Sequence, residues 1–523
     1  MRLSLAKPPI YNEAFSRRDM TKEADVRDLN PWWKNPDNIR ADIKIQEWEK
    51  SDIRHDPGLR HAIQYDFKPD NTVVYTLRGP RQVGKTTLIK LQIRDFLESG
   101  VHPWNIMYYS LDLANAQQDV VDVVEIYLKL SDRQRGNRRF YIFLDEASSV
   151  TDWQKGIKWL VDGSKLANCT VVVTGSHAVN IKNSTERLPG RKGTVDGSHD
   201  KILLPMKFAE YASMLNSDIR GIAEAGGLHL SENRASMFEG LLAGEVDERL
   251  DKLYGYQNEI NDLLGEYMVT GGTPKIINEK IASNTIRENT YASYLEGITG
   301  QWAGLAKNET LLKQFGGAII KSLSSHTSWN NLAKEAALGS PNTATDYAYA
   351  LRDLFVLSIV HRYGERRKIP MIQDDRKFYF RDPVFLHVFN GWMSPNDSFD
   401  TSLRYLEDEG NRGSVVEGIV GDHLVRLAFG RSAKKQTFDY SNHVFYWRDD
   451  KGREVDFVLY DGAGTEVPIE VKFRSSLRYR ELAPVTGFLD RTGNRTGLIL
   501  SKSELGVRPD YVIIPASMFL LLV

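Results

Sequence analysis

The chain has 523 residues, 41% hydrophobic and 26% charged, with a formal net charge of -1. At about 100–200 residues per domain that length calls for roughly three domains, and the balanced charge excludes a global attraction to nucleic acid or membrane, so any basic surface is local. The single cysteine, Cys169, excludes a disulfide framework or a four-cysteine zinc site within one chain and favours a reducing compartment. The N-terminus has no continuous apolar segment of the signal-peptide kind, and no run of about 18 apolar residues is present, so the expectation is a cytoplasmic protein without a membrane span.

Residues 1–70 are rich in Pro, Trp and charge ("DLNPWWKNPDNIRADIKIQEWEK") and read as an extended arm followed by a helix packed on the next domain, with no evident chemistry. From 71 to 206, short apolar runs alternate with amphipathic segments of helix length, the pattern of a parallel sheet with crossover helices. Strands are expected at 73–78, 106–112, 140–145, 170–175 and 201–205. Cys169 falls at the entrance of the fourth.

The first of these strands runs into "GPRQVGKTT", which fits G-x-x-x-x-G-K-[ST] from Gly79 to Thr86 and leads into a helix. Gly79, Pro80, Arg81, Gln82, Val83 and Gly84 would wrap phosphate oxygens with their backbone. Lys85 would reach the β- and γ-phosphates of ATP, Thr86 would bind Mg²⁺, and Thr87 is expected to join them in binding the nucleotide. The strand "YIFLDE" ends in Asp145, expected in the Mg²⁺ shell, and Glu146, expected to polarise the attacking water; an acidic pair there also fits a helix cap. "TVVVTGSHA" carries Ser176, a small polar group able to help position water or γ-phosphate.

Residues 207–325 read as a helical lid interrupted by "VTGGTPKIIN". In 326–395 two short helices around a Gly-Ser-Pro turn precede a hairpin, the order of a winged helix. Its helix after Pro341 presents Asn342, Thr343, Thr345 and Asp346, poor groups for DNA affinity, whereas Arg366, Arg367, Lys368, Arg376 and Lys377, with "RQRGNRR" at 133–139, are candidates for phosphate contact. Residues 410–523 mix a helix with several strands. There Glu417 lies on the helix, Asp456 in "EVDF" and Glu470 and Lys472 in "IEVK", a set of oxygen ligands and one lysine suited to a divalent cation.

"GPRQVGKTT", "FLDE", "TGS" and "RLPGR" together resemble AAA+ P-loop ATPases, and more closely a prokaryotic family in which "TGGTP" also recurs. The resemblance implies a homo-oligomeric, hexameric ring, with Arg191 as an arginine finger reaching the neighbouring subunit's nucleotide. The order Glu417, Asp456, Glu470, Lys472, with Trp447, Arg448 and Glu454, resembles the PD-(D/E)XK nuclease superfamily. By that resemblance Asp456 and Glu470 ligate Mg²⁺, Lys472 acts on water and the transition state, and Glu417 supports the metal shell. The expected class is thus multidomain α/β. The leading function is an ATPase coupled to Mg²⁺-dependent cleavage of DNA, branched or foreign. The alternative is a nucleotide-dependent switch whose C-terminal domain binds without cutting.

Overall fold

The computed structural model describes residues 22–60, 63, 72–114, 116–131, 139–175, 192–193, 195, 198–304, 308–432, 438–462, 464–474 and 476–523. The chain forms two compact units, Met1–Pro80 with Gly84–Leu203, and Arg81–Val83 with Leu204–Val523.

The first unit is built on a five-stranded parallel sheet in the order β2-β3-β4-β1-β5. The strands are β1 (Val73–Arg78), β2 (Ile106–Ser110), β3 (Phe140–Asp145), β4 (Cys169–Thr174) and β5 (Asp200–Ile202). β4 is buried along its whole length, as its β-branched run requires of a strand covered on both faces. β2 ends earlier than expected, because Leu111–Leu113 turn into a 3₁₀ segment. Helix α1 (Lys85–Glu98) follows β1. The parallel register gathers the carboxyl ends of β1, β3 and β4, where open α/β sheets place ligands.

β2 lies at the edge of this sheet, and the segment before Asp42 covers it. The Asn30 side chain donates to the Tyr108 carbonyl at 2.9 Å and accepts from its N–H at 2.7 Å, pairing as a neighbouring strand would. The Trp32 and Trp33 indoles both donate to the Ile106 carbonyl, at 3.2 and 2.8 Å. The Pro-Trp-rich arm therefore closes a sheet edge, a role its sequence did not announce.

The second unit begins with helices between Phe208 and Lys321. "TGGTP" opens the helix Pro274–Ser283 and requires both its glycines. A Cβ on Gly272 would come within 2.1 Å of the Met206 carbonyl oxygen, and Gly271 has φ 60° against the Asp382 carboxylate, which accepts from the Gly272 N–H at 2.9 Å. Next come α2 (Trp329–Glu335) and α3 (Pro341–Asp353), the two helices expected around the Gly-Ser-Pro turn, with Ser340 capping α3 through the Thr343 N–H.

The hairpin after α3 departs from expectation. Its strands β6 (Leu357–Gly364) and β7 (Ile369–Phe380) belong to one eight-stranded sheet with β8 (Val444–Arg448), β9 (Glu454–Tyr460), β10 (Glu466–Lys472), β11 (Gly497–Ser501), β12 (Gly506–Val507) and β13 (Tyr511–Pro515). The order is β12-β13-β11-β10-β9-β8-β6-β7, so the segments read as a winged helix and as a C-terminal unit share a sheet. The junction is the parallel pairing of His361 with Phe445 and Arg362 with Tyr446. Helix α4 (Pro383–Met393) and the 23-residue helix α5 (Glu409–Arg431) follow β7. α5 is buried from Val415 through Val425, and Gly421 lets the Phe457 ring approach its axis, 3.0 Å from where a Cβ would stand.

Candidate functional site

At the end of β1 the chain turns through the glycine-rich loop into α1. Gly84, which precedes the helix, has φ 105°, a conformation that a side chain strains. The Lys85 ammonium is buried and donates to the carbonyls of Gly79 at 3.0 Å and Pro80 at 2.9 Å, held over the loop that phosphates would occupy. Arg81, Gln82 and Val83 group with the second unit, where the Gln82 amide donates to the Ser293 carbonyl at 2.9 Å.

Asp145, buried at the end of β3, is fixed by three hydroxyls. Thr86 donates to Oδ2 at 2.8 Å, Tyr108 donates to the same oxygen at 3.1 Å, and Thr174, from the end of β4, donates to Oδ1. Thr174 Oγ1 also accepts from the Glu146 N–H at 3.1 Å. Glu146 has φ 52°, a left-handed turn at the strand's end that redirects the chain at the site. Burial, reinforced by Asp145, pushes the Tyr108 phenol well above its ordinary range, so it keeps its proton and donates. One hydroxyl and one carboxylate beside a glycine-rich loop are what Mg²⁺ takes from a protein when phosphates supply other ligands, so Thr86 and Asp145 fit that ion.

The second cluster lies where α5, β7, β9 and β10 meet. Glu417, Glu454, Asp456 and Glu470 converge there, and Lys377 of β7 stands among them, with its side chain 0% exposed. Its Nζ lies 2.8 Å from Glu454 Oε1, 3.0 Å from Asp456 Oδ1 and 3.2 Å from Glu417 Oε1. Tyr379 donates to Glu417 Oε1 at 2.5 Å, the Val471 N–H to Asp456 Oδ2 at 3.0 Å, and the Asp456 N–H to Glu470 Oε2 at 3.2 Å. Lys472 pairs with Glu470 Oε1 and lies 3.7 Å from Asp456 Oδ2.

Burial opposes the charge of Lys377, but Glu417, Tyr379, Asp456 and Glu454 outweigh it and keep the ammonium protonated. Burial also raises Asp456, yet Lys377 and Lys472 overcome it and hold that carboxyl low. Burial followed by Asp456 pushes Glu470 up to about 8 and Glu417 up to about 6. Among the described residues no group of three His, Cys, Asp or Glu side chains is placed to hold a metal ion. The carboxylates do not fit the Mg²⁺ site expected of them, because an ammonium already satisfies them.

Residues 71–212 match a family model described as an AAA domain. This segment is an AAA+-type P-loop ATPase domain. The AAA domain is followed by two segments, 261–396 and 412–519, that match models each described as a domain of unknown function, DUF8612 and DUF4143. No curated protein matches the chain. Solved structures similar to it include a Walker-type ATPase of Pyrococcus abyssi, at 14% identity and TM-score 0.37, covering 63% of this chain and 93% of that one. Cdc6p from Pyrobaculum aerophilum follows at 13% identity and TM-score 0.22, covering 68% and 90%, and C. elegans PCH-2 at 16% and 0.20, covering 29% and 40%.

Within the AAA domain the structure brings together Lys85, Thr86, Asp145 and Glu146. Ser176 and Arg191 lie outside the described residues, as do residues 133–138 of the basic run. Arg139, at its end, is buried and donates to Thr170 Oγ1 at 2.6 Å. Of the hairpin cations proposed for phosphate, Arg376 is buried with its guanidinium over the Trp329 ring at 4.4 Å, Lys377 is enclosed by carboxylates, and Lys368 pairs with Glu466 at 2.8 Å. Arg366 and Arg367 are exposed. Sequence reasoning missed Tyr108 and Thr174 as site residues and assigned Lys377 to phosphate contact, whereas it stands among carboxylates. Thr174 stood inside the quoted "TGS" motif, two residues from Ser176.

Proposed function

We propose that this chain is an ATP-hydrolysing molecular switch, in which the nucleotide state of the AAA domain controls engagement of a macromolecular partner and the C-terminal unit binds without cutting. The observation that carries the reading is the Thr86–Asp145–Thr174 hydrogen-bond chain beside the buried Lys85. Lys85 would bind the terminal phosphates, and Thr86 and Asp145 would hold Mg²⁺, which when bound neutralises phosphate charge. Glu146, on its turned backbone, accepts a proton from the attacking water, and Thr174 fixes the backbone that carries it. Ring assembly, with Arg191 reaching a neighbouring subunit's nucleotide, belongs to the same proposal.

A second reading, DNA cleavage coupled to the ATPase, is favoured by one observation: Asp456, Glu470 and Lys472 stand on neighbouring strands beside Glu417 of α5. Against it stands Lys377, buried among those carboxylates. The test is phosphate release by purified protein with and without linear and branched DNA, alongside cleavage assays in Mg²⁺ and Mn²⁺. The switch reading expects turnover that Lys85→Ala abolishes, no stimulation by DNA and no cut product. Cleavage lost in Asp456→Ala plus Glu470→Ala would establish the second reading instead, and unaltered turnover in Lys85→Ala would overturn the ATP site.

A further inference from the structure

The C-terminal cluster gathers its carboxylates around an ammonium. Three N–H groups are what a lysine can donate, and Lys377 reaches three different carboxylates within 3.2 Å. Four of the five remaining oxygens are also engaged. Glu454 Oε2 meets His326 Nδ1 at 3.0 Å, Asp456 Oδ2 takes the Val471 N–H, and both Glu470 oxygens have partners, the Asp456 N–H and Lys472.

Lys377 has a fully buried side chain. It is paired with Val360 across the β6–β7 ladder and flanked by the buried Arg376 and Phe378. A divalent ion bound to Asp456 and Glu417 would share their oxygens with this ammonium and stand close to Lys472 as well, a like-charge contact in a buried site.

We propose that Lys377 is a built-in substitute for a divalent cation: its ammonium fills the position the carboxylates would otherwise offer a metal and makes the C-terminal unit metal-independent. The inference deepens the reading of that unit as a non-cutting module and rests on it. An apolar side chain of similar length at 377 leaves the carboxylates without their counter-charge and opens the position to a hard cation.

The experiment is Mn²⁺ titration of the nucleotide-free full chain, with free Mn²⁺ read by electron paramagnetic resonance. Wild type and Glu470→Gln are expected to take up equal amounts, since the cluster contributes no site. Lys377→Met is expected to take up one more equivalent per chain, lost again when Glu470→Gln is added. Uptake by wild type that falls in Glu470→Gln overturns the proposal, as does a folded Lys377→Met that gains nothing. If Lys377→Met does not fold, the comparison of wild type with Glu470→Gln still decides, because equal uptake supports the proposal and unequal uptake ends it. ATP turnover and DNA cleavage are read separately, so a wild type that ignores Mn²⁺ at the cluster yet fails to hydrolyse ATP defeats the switch reading alone.

Discussion

The Tyr108 hydroxyl and the Thr86 hydroxyl donate to one oxygen of Asp145, at 3.1 and 2.8 Å, so an aromatic side chain from the neighbouring strand helps aim the carboxylate expected to serve Mg²⁺. Tyr108→Phe removes one of three hydroxyls on Asp145 and leaves the ring in place. A single neutral hydrogen bond is worth about 1 kcal/mol, so kcat for ATP should fall roughly fivefold with KM little changed. Steady-state phosphate release measures it, and an unchanged kcat would mean that Tyr108 only packs.

Asn30 pairs with both backbone groups of Tyr108 at the edge of the sheet. Its amide also donates to the Val26 carbonyl at 2.6 Å, so Asn30→Ala should cost about 3 kcal/mol in urea unfolding, the sum of three buried hydrogen bonds, and should promote self-association through the uncovered β2 edge. Light scattering alongside the unfolding curve reads both effects.

Lys377 compensates several buried carboxylates at once. Lys377→Met leaves them without their central counter-charge and should lower stability by about 3–5 kcal/mol at neutral pH. Adding Glu417→Gln removes one of the uncompensated charges and should recover part of the loss, a coupling that a double-mutant cycle by thermal unfolding will register.

His423 on α5 is buried, donates through Nδ1 to the Ile419 carbonyl at 2.8 Å and accepts the Phe208 N–H at Nε2, 3.0 Å away. Burial, with Arg426 and Lys207 nearby, pulls its pKa down to about 3 from an ordinary 6.5. The unfolded chain therefore takes up this proton first. Stability is fully present above about pH 6.5 and is lost as pH falls toward about 3, by roughly 2 kcal/mol at about pH 5. His423→Gln should flatten that part of the pH–stability curve measured by denaturant midpoints, and an unaltered slope would place the acid sensitivity elsewhere.

The glycine-rich loop, the strand ending in Asp145 and Glu146, and the run of β1 and β3 were legible in the sequence because each depends on neighbours along the chain: a β-branched run, a glycine that frees φ, a lysine at fixed spacing from it. The same holds for the turn between α2 and α3, where Ser340 caps the helix that Pro341 starts. Thr174 was less legible. Strand and motif were both visible, but that the Thr174 hydroxyl meets Asp145 depends on the register of β4 beside β3, in which Leu144 pairs with Val173.

By itself the sequence determined that a phosphate-binding loop exists, that an acidic pair ends a neighbouring strand, and that carboxylates and a lysine mark the C-terminal strands. Only the tertiary structure decided what those carboxylates meet. Lys377 lies 40 residues before Glu417 and 79 before Asp456, and its spacing from them carries no signal. It reaches them because the hairpin β6–β7 joins the C-terminal sheet through two pairings with β8, a long-range choice made by burial of apolar strands. That choice turns a basic residue read as a surface contact into the charge at the centre of the cluster.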